Sequence, residues 1–280
     1  MGVVKELQMA EIKIGIVGSA GRMGSALVRE VEKSKGVKLV AAIESPAHPS
    51  LGEDAGLIAG LGELGIKIGH SAEELFSEVD CVIECSGPGP TVEHAAYAAQ
   101  RQVQHIIGTT GLDKDQEAAL LKAAGETQIF WAPNMSMGVN VLLALVEKAS
   151  AALNEDFDAE VLEMHHRRKV DAPSGTALAL GRAIAQGRGV ELNDVSRRVR
   201  DGITGERVRG EIGFAVLRGG DVVGDHRVIY ASDNETVELV HSASSRQIFA
   251  AGAVRAAIWL QDKPPGLYGM RDMLGLHDIS

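Results

Sequence analysis

Residues 13–24 read Lys13-Ile14-Gly15-Ile16-Val17-Gly18-Ser19-Ala20-Gly21-Arg22-Met23-Gly24, and this stretch decides the fold. A continuous apolar run that is closed by a glycine is typical of a buried strand. The residues from Arg22 to Lys33 place Met23, Leu27, Val28 and Val31 on one face, as in an amphipathic helix. Glycines between a strand and a helix allow a sharp turn and a close approach to a pyrophosphate. The stretch therefore predicts the start of a dinucleotide-binding βαβ unit.

A carboxylate after the second strand supports this interpretation. The glycine spacing is Gly-x-x-Gly-x-x-Gly, which is less specific than Gly-x-Gly-x-x-Gly, but Glu44 follows the predicted strand Lys38 to Ile43. It stands 20 residues after Gly24, where a carboxylate accepts hydrogen bonds from the adenosine ribose. The cofactor-binding residues predicted here are Gly18, Ser19, Ala20, Gly21, Arg22, Met23 and Glu44.

The same region predicts which cofactor is used. Glu44 would repel a 2′-phosphate, the next residue is Ser45, and no lysine or arginine lies between Lys38 and Lys67. We therefore expect NADH to serve at least as well as NADPH. Arg22 is the one nearby cation that could favour NADPH.

Strands alternate with helices up to about Pro133, which predicts a Rossmann-type parallel sheet with helices on both faces. Two loops follow later strands of this sheet, where open α/β sheets bind ligands. Their small and hydroxyl-bearing residues suit a nicotinamide carboxamide and ribose. The candidate contacts are Gly108, Thr109 and Thr110 in one loop, and Ala132, Pro133, Asn134 and Met135 in the other.

The pattern changes after Asn134, where a long helix leads into the strand Glu160 to His165. Three extended runs follow, and the turn Arg218-Gly219-Gly220-Asp221 between two of them indicates a mixed or antiparallel sheet. We expect a second α+β domain, for substrate binding and oligomerisation, over residues 135–245. Residues 1–134 and 246–280 then form the dinucleotide-binding domain, with residues 1–10 as a loose extension. The predicted extended runs are Gly213 to Arg218, Asp221 to Tyr230 and Thr236 to His241.

The composition excludes several classes of protein. It is 45% hydrophobic and 24% charged, which is ordinary for a globular chain. The net charge of -10 argues against a nucleic-acid binder, which would need lysine and arginine to neutralise phosphates. No signal pattern or membrane-length apolar run occurs, so we expect a cytoplasmic protein with no membrane partner. Cys81 and Cys85 are expected to be buried, inert thiols on one strand, too far apart for a disulfide.

The most unusual stretch ends the strand of the second domain. His165-His166-Arg167-Arg168-Lys169 places five potentially cationic residues together in an acidic protein, and Ser174-Gly175-Thr176 then begins a helix. Ser174 is a good N-cap residue, and amides in the first turn of a helix favour an anion. The pattern indicates a pocket for a small carboxylate. A metal site is not expected, because adjacent strand residues point to opposite faces and no third ligand has a familiar spacing.

Residues 165–177 resemble the signature of dihydrodipicolinate reductases, His-His-x-x-Lys-x-Asp-Ala-Pro-Ser-Gly-Thr-Ala. The resemblance extends over nearly the whole chain from Ile12 onward. Two positions depart from better-known members: Ser45 replaces a frequent arginine, and Ser86-Gly87-Pro88 stands for Thr-Arg-Pro. Both departures bear on cofactor preference or affinity. Further matches are Gly21-Arg22-Met23-Gly24, Gly108-Thr109-Thr110-Gly111, Asn134-x-Ser136-x-Gly138-Val139-Asn140, Thr204-Gly205-Glu206-Arg207 and Ser244-Ser245-Arg246.

The resemblance implies reduction of 4-hydroxy-tetrahydrodipicolinate, a cyclic imine dicarboxylate, with NADH or NADPH in lysine and diaminopimelate synthesis. It implies that His165 and Lys169 are the catalytic acid/base residues. It also implies a homotetramer assembled through the second domain. The substrate-binding residues would be His166, Ser174, Gly175 and Thr176.

Two alternatives remain open from the residues alone. One is another two-domain dehydrogenase, acting on an amino acid such as aspartate or homoserine. The other is a non-catalytic regulator that senses a nucleotide. The first is disfavoured by the His-His-x-x-Lys cluster, and the second by the acidic charge and by the lack of a DNA-reading motif.

Overall fold

A computed structural model of the chain describes residues 11–277. They form two compact units, one of residues 11–135 with Gln247–Met273 and one of Ser136–Arg246 with residues 274–277. The expected loose extension over residues 1–10 lies outside the described residues. None of the helices in the described part of the chain has the length and apolarity needed to cross a bilayer.

The first unit is built on a seven-stranded parallel sheet, which confirms the predicted Rossmann-type layout. The strand order is β12-β6-β5-β4-β1-β2-β3, so the chain first builds outward from β1 through β2 and β3 and then crosses back to β4. The strands are β1 (Ile12–Val17), β2 (Val37–Ile43), β3 (Ile68–Gly69), β4 (Cys81–Glu84), β5 (Gln104–Ile107), β6 (Gln128–Trp131) and β12 (Gly266–Tyr268).

Helices connect these strands and cover the sheet. Helix α1 buries Leu27, Val28 and Val31 of its predicted apolar face, whereas Met23 is only partly buried. The sequence did not predict α2, α3, α10, β3 or β12, because these elements are short and carry little periodicity. The helices are α1 (Arg22–Lys33), α2 (Ala55–Ala59), α3 (Ala72–Glu78), α4 (Pro88–Arg101), α5 (Lys114–Ala123), α9 (Gln247–Trp259) and α10 (Met270–Leu274).

The second unit contains a five-stranded mixed sheet in the order β11-β10-β7-β9-β8. The central strand β7 alternates between buried and partly exposed residues, and α6 and α7 pack on its buried face. The elements are α6 (Met137–Leu153), β7 (Asp158–His165), α7 (Gly175–Arg188), α8 (Leu192–Val195), β8 (Ser196–Arg197), β9 (Ile212–Arg218), β10 (Gly224–Ala231) and β11 (Thr236–Ala243).

Two expectations for this sheet were wrong. The strand predicted from Asp221 begins only at Gly224. The turn at 218–221 does not join neighbouring strands, because β7 lies between β9 and β10, parallel to the first and antiparallel to the second. The backbone of the turn instead pairs with the end of β7, since the Gly219 amide donates to the His165 carbonyl at 3.0 Å.

The expectation that both cysteines are buried on one strand is only partly met. Cys81 is fully buried in β4, but that strand ends at Glu84, so Cys85 lies beyond it and is only half-buried. Both thiols are free, as predicted. Burial, followed by the charge of Glu84, raises the pKa of the Cys85 thiol to about 11. The thiolate, which is the reactive form, is therefore scarce at neutral pH.

Candidate active site

The glycine loop connects β1 to α1, and its conformation requires glycine at two positions. Gly18 has a φ of +77°, a conformation that side chains disfavour. At Gly24, a Cβ atom would lie 2.0 Å from the carbonyl oxygen of Gly18. No residue with a side chain could therefore occupy position 24 without moving the loop. The loop is compact enough for its backbone to approach a ligand closely.

Glu44 lies beside this loop, directly after β2. Its Oε1 atom accepts a hydrogen bond from the Ala20 amide at 2.9 Å, and its Oε2 atom accepts one from the Ser45 amide at 3.2 Å. The structure thus brings together the predicted ribose-binding carboxylate and the predicted pyrophosphate loop. The donor and acceptor groups fit a dinucleotide at this end of the sheet.

The other two candidate cofactor loops follow β5 and β6 at the same end of the sheet. The Trp131 indole N–H donates to the Thr109 carbonyl at 3.1 Å, which ties the end of β6 to the first loop. Gly108 has little room for a side chain, because a Cβ atom there would lie 2.8 Å from Sγ of Cys85. Met135 is buried, and its terminal methyl group lies near Gly108.

In the second unit, His165 ends β7 and is held by a buried carboxylate. Its Nδ1 atom lies 2.5 Å from Oε2 of Glu163, a side chain with 1% exposure. Arg218 donates to both oxygens of the same carboxylate, at 2.8 and 3.0 Å. Burial acts to raise the pKa of Glu163, but the hydrogen bonds from Arg218, His165 and the Ser174 amide outweigh it and lower that pKa. Glu163 is therefore ionised and can only accept hydrogen bonds.

The cationic turn after β7 places Lys169 and His166 in different surroundings. Nζ of Lys169 lies 2.8 Å from Oδ1 of Asp171, and this hydrogen bond lowers the pKa of that carboxyl group. Nε2 of His166 lies 3.5 Å from a guanidinium nitrogen of Arg246. Desolvation, followed by the nearby Arg168 and Arg246, lowers the pKa of His166. Arg168 itself is exposed and pairs with Asp221.

Ser174 is the N-cap of α7, as predicted, because its hydroxyl accepts from the Ala177 amide at 3.1 Å. Its own amide donates to Oε1 of Glu163 at 2.9 Å. Apart from its chain neighbours and the backbone of α7, a Cβ atom at Gly175 would meet no heavy atom of the described residues within 4 Å. Space is therefore open beside the first turn of α7, where the helix dipole favours an anion.

Two further histidines, which sequence reasoning missed, face this site from β10 and β11. His226 and His241 are directly opposite each other in the antiparallel ladder. Nε2 of His226 lies 3.2 Å from the Ser174 hydroxyl, and its ring packs edge-on against His165 with centroids 5.1 Å apart. Desolvation and the proximity of His165 lower the pKa of His226 to about 4. The ring is therefore neutral at physiological pH, and its Nε2 atom shares a hydrogen bond with the Ser174 hydroxyl.

Sequence reasoning also gave no role to Glu163 or Arg218. Glu163 could have been found, because a carboxylate two residues before His165 lies on the same face of a strand. Arg218 and His226 gave no such signal, since their approach depends on which strands pair with β7. The structure brings His165, Ser174 and the start of α7 together around Glu163.

Comparison with known protein families identifies both halves of the chain. The model described as "Dihydrodipicolinate reductase, N-terminus" matches residues 12–135, and the model described as "Dihydrodipicolinate reductase, C-terminus" matches residues 138–274. A 4-hydroxy-tetrahydrodipicolinate reductase of Sinorhizobium medicae is 52% identical over 267 residues, covering 95% of this chain and 98% of that protein. One from Chelativorans sp. is 51% identical over 273 residues, covering 97% and 99%.

Solved structures share the fold. A dipicolinate-bound dihydrodipicolinate reductase from Paenisporosarcina sp. TG-14 aligns with a TM-score of 0.73 at 24% identity, covering 94% of this chain and 99% of that one. An amine dehydrogenase from Mycobacterium smegmatis aligns with a TM-score of 0.61 at 14% identity, covering 92% and 94%. At these identities the likeness concerns the fold alone.

Proposed function

The chain belongs to the dihydrodipicolinate reductase family, and we propose that its two units divide the family's reaction between cofactor and substrate binding. It reduces 4-hydroxy-tetrahydrodipicolinate with NAD(P)H in lysine and diaminopimelate synthesis. Family membership decides against the amino-acid dehydrogenase and the regulator considered above. Since the reaction consumes reduced nicotinamide cofactor, we place it in the cytoplasm.

Residues 1–134 and 246–280 would bind the cofactor. Gly18 to Met23 would hold the pyrophosphate, and Glu44 would accept the hydroxyls of the adenosine ribose. The close packing at Gly24 and the carboxylate beside the loop support this role. Because Glu44 is anionic and Ser45 is uncharged, NADH should serve at least as well as NADPH.

The nicotinamide half would lie against the loops after β5 and β6. Gly108, Thr109 and Thr110 would contact it from one side, and residues 132–135 (Ala132, Pro133, Asn134 and Met135) from the other. When bound, the reduced nicotinamide supplies the hydride. The protein's part is to orient the ring and to exclude water from it.

Residues 135–245 would bind the diacid. Gly175 and Thr176 in the first turn of α7, with Ser174 and His166, would hold one carboxylate. The open space at Gly175 and the dipole of α7 support this role. The protein from Paenisporosarcina sp. binds dipicolinate, a planar diacid, on the same fold.

His165 and Lys169 would carry the proton chemistry. Glu163 fixes the hydrogen of His165 on Nδ1, so Nε2 is the atom that can exchange a proton with the substrate. The ammonium group of Lys169 can supply both a proton and a positive charge as electrons move into the substrate ring. Asp171 holds that ammonium group at 2.8 Å.

We also propose a homotetramer that forms through the sheet of the second unit. Its face away from α6 and α7 carries partly exposed apolar side chains on neighbouring strands, which is typical of an interface. They include Leu162, Met164, Leu217, Ile229 and Val240.

The test is an NADH-oxidation assay in which dihydrodipicolinate synthase supplies fresh substrate. We expect NADH consumption that depends on both the synthase and this protein, and inhibition by pyridine-2,6-dicarboxylate. Consumption that continues without the synthase, or none with it, would contradict the assignment. Size-exclusion chromatography with light scattering tests the tetramer.

A further inference from the structure

A second buried carboxylate, Glu84, ends β4 in the first unit and has no role among the residues assigned above. Its side chain is completely buried. Its Oε1 atom lies 2.9 Å from Nδ1 of His94 in α4, and its Oε2 atom lies 2.7 Å from Nε2 of His105 in β5. The ring of Phe76 packs against both histidines. One carboxylate thus joins a strand, its neighbouring strand and a helix inside the first unit.

Burying this ionised cluster in a core costs free energy. Burial acts to raise the pKa of Glu84, but the hydrogen bonds from His105 and His94 outweigh it and hold that pKa well below its usual range. Well-packed apolar residues often stabilise a core as well as a buried ionic group does. Stabilisation of the first unit is therefore not a sufficient explanation for the cluster. The contacts of Glu84 indicate another role.

The contacts of Glu84 lead to the cofactor end of the sheet. The Ser86 hydroxyl donates to Oε1, which ties down the loop after β4. The Thr91 hydroxyl lies 3.3 Å from the same oxygen and 2.8 Å from the Thr109 hydroxyl. The backbone carbonyl of Glu84 accepts the Gly108 amide at 2.8 Å. Glu84 is therefore linked to the loop Gly108-Thr109-Thr110 through its backbone and through Thr91.

We propose that Glu84 is a positioning residue for the nicotinamide half of the cofactor. With Thr91 it fixes the loop of Gly108 to Thr110, and with Ser86 it fixes the loop after β4. Both loops lie at the carboxyl ends of adjacent strands, where a parallel sheet binds its ligand. The inference rests on the proposed assignment of Gly108 to Thr110 to the cofactor. It adds a residue that never touches the cofactor.

The test compares two ligands that share the adenosine and pyrophosphate groups. NADH has the nicotinamide riboside and ADP lacks it, so only NADH should depend on the loop after β5. We expect Glu84→Gln to raise the Kd for NADH by about tenfold, measured by calorimetry, and to change the Kd for ADP by less than twofold. In steady-state assays the KM for NADH should rise while the KM for the diacid stays within twofold.

Thr91→Val keeps the Glu84 pairs with both histidines but breaks the link to Thr109. It therefore tests the positioning of the loop even where Glu84→Gln does not fold. It should raise the Kd for NADH about threefold. The matched control is Thr127→Val, which removes a buried hydroxyl at the opposite end of the sheet, 3.0 Å from the Val103 carbonyl. It should lower Tm yet leave both Kd values unchanged.

Three outcomes decide the matter. Unchanged NADH binding in Glu84→Gln and Thr91→Val would overturn the inference. Equal weakening of NADH and ADP would also overturn it, because a general loss of structure would then be the cause. A wild-type protein that binds neither ligand would instead refute the proposed cofactor site itself.

Discussion

The Oε2 atom of Glu163 lies 2.5 Å from the Nδ1 atom of His165, and both side chains project from the buried face of β7. The carboxylate also accepts the Ser174 amide at 2.9 Å, so it holds the candidate catalytic histidine and the start of the candidate anion pocket at once. Arg218 pairs with both of its oxygens. A buried carboxylate whose acceptor positions are filled in this way stays ionised and fixes the geometry of its donors.

Replacing Glu163 with glutamine should impair the reaction without removing the histidine. An amide has one acceptor oxygen, so its nitrogen would face two of the four N–H groups that now donate to Glu163, one from Arg218 and one from His165 or Ser174. We expect kcat to fall roughly 100-fold, because small displacements of a reacting group are costly. The KM for the diacid should rise as Ser174 loses its partner. Steady-state kinetics measure both, with Glu147→Gln on α6 as a control, and a kcat within twofold of wild type would refute the positioning role.

Alanine at His165 or at Lys169 tests the proton chemistry directly. Each change should lower kcat by about 100-fold or more if the side chain moves a proton. Arg168→Ala is the matched control, because Arg168 is an exposed cation of the same turn that pairs with Asp221. A change in KM alone would assign the residue to binding instead.

The sequence predicted most of the first unit, because its signals are local. The run from Lys13 to Gly24 carries a strand, a turn and a helix start within a dozen residues. Glu44 could be placed beside the glycine loop because parallel strands end at one edge of a sheet. The strands β3 and β12 were missed, since two or three residues carry no measurable periodicity.

The site of the second unit was predicted only in part, for a physical reason. His165, Lys169 and Ser174 lie close together in sequence and could be recognised together. Glu163 is enclosed by Arg218 from β9, while His226 comes from β10, and nothing local indicates that both strands flank β7. Side chains that come together through strand pairing are specified by the sequence of the whole sheet and not by a local motif.

Cofactor preference should change with a single positive charge. Ser45 is exposed next to Glu44, the carboxylate that we propose accepts the hydroxyls of the adenosine ribose. Ser45→Arg should raise kcat/KM for NADPH relative to NADH by about tenfold, since one charge-assisted hydrogen bond contributes roughly 1.5 kcal/mol. Ser45→Gln, of similar length and without charge, is the control. A wild-type enzyme that strongly prefers NADPH would contradict the premise.

His226 should make the fold weaker in acid. Its pKa is about 4 in the folded protein, against 6.5 as its ordinary value, so the unfolded chain binds the additional proton between these pH values. Its contribution to stability is complete above pH 6.5, decreases as the pH falls, and is lost below pH 4. The difference between these two pKa values corresponds to about 3 kcal/mol of unfolding free energy over the whole range.

His226→Gln removes this titration and keeps a group that can accept from Ser174. Between pH 7 and pH 5 the free energy of unfolding in urea, at one protein concentration, should fall by about 2 kcal/mol more in wild type than in the variant. Between pH 7 and pH 8 the difference between the two proteins should change by only about 0.2 kcal/mol, because the ring is then mostly neutral in both states. Lowered pKa values at His166 and His241 act in the same direction in both proteins and cancel in the comparison. Equal acid sensitivity of the two proteins would show that His226 is not buried in its neutral form.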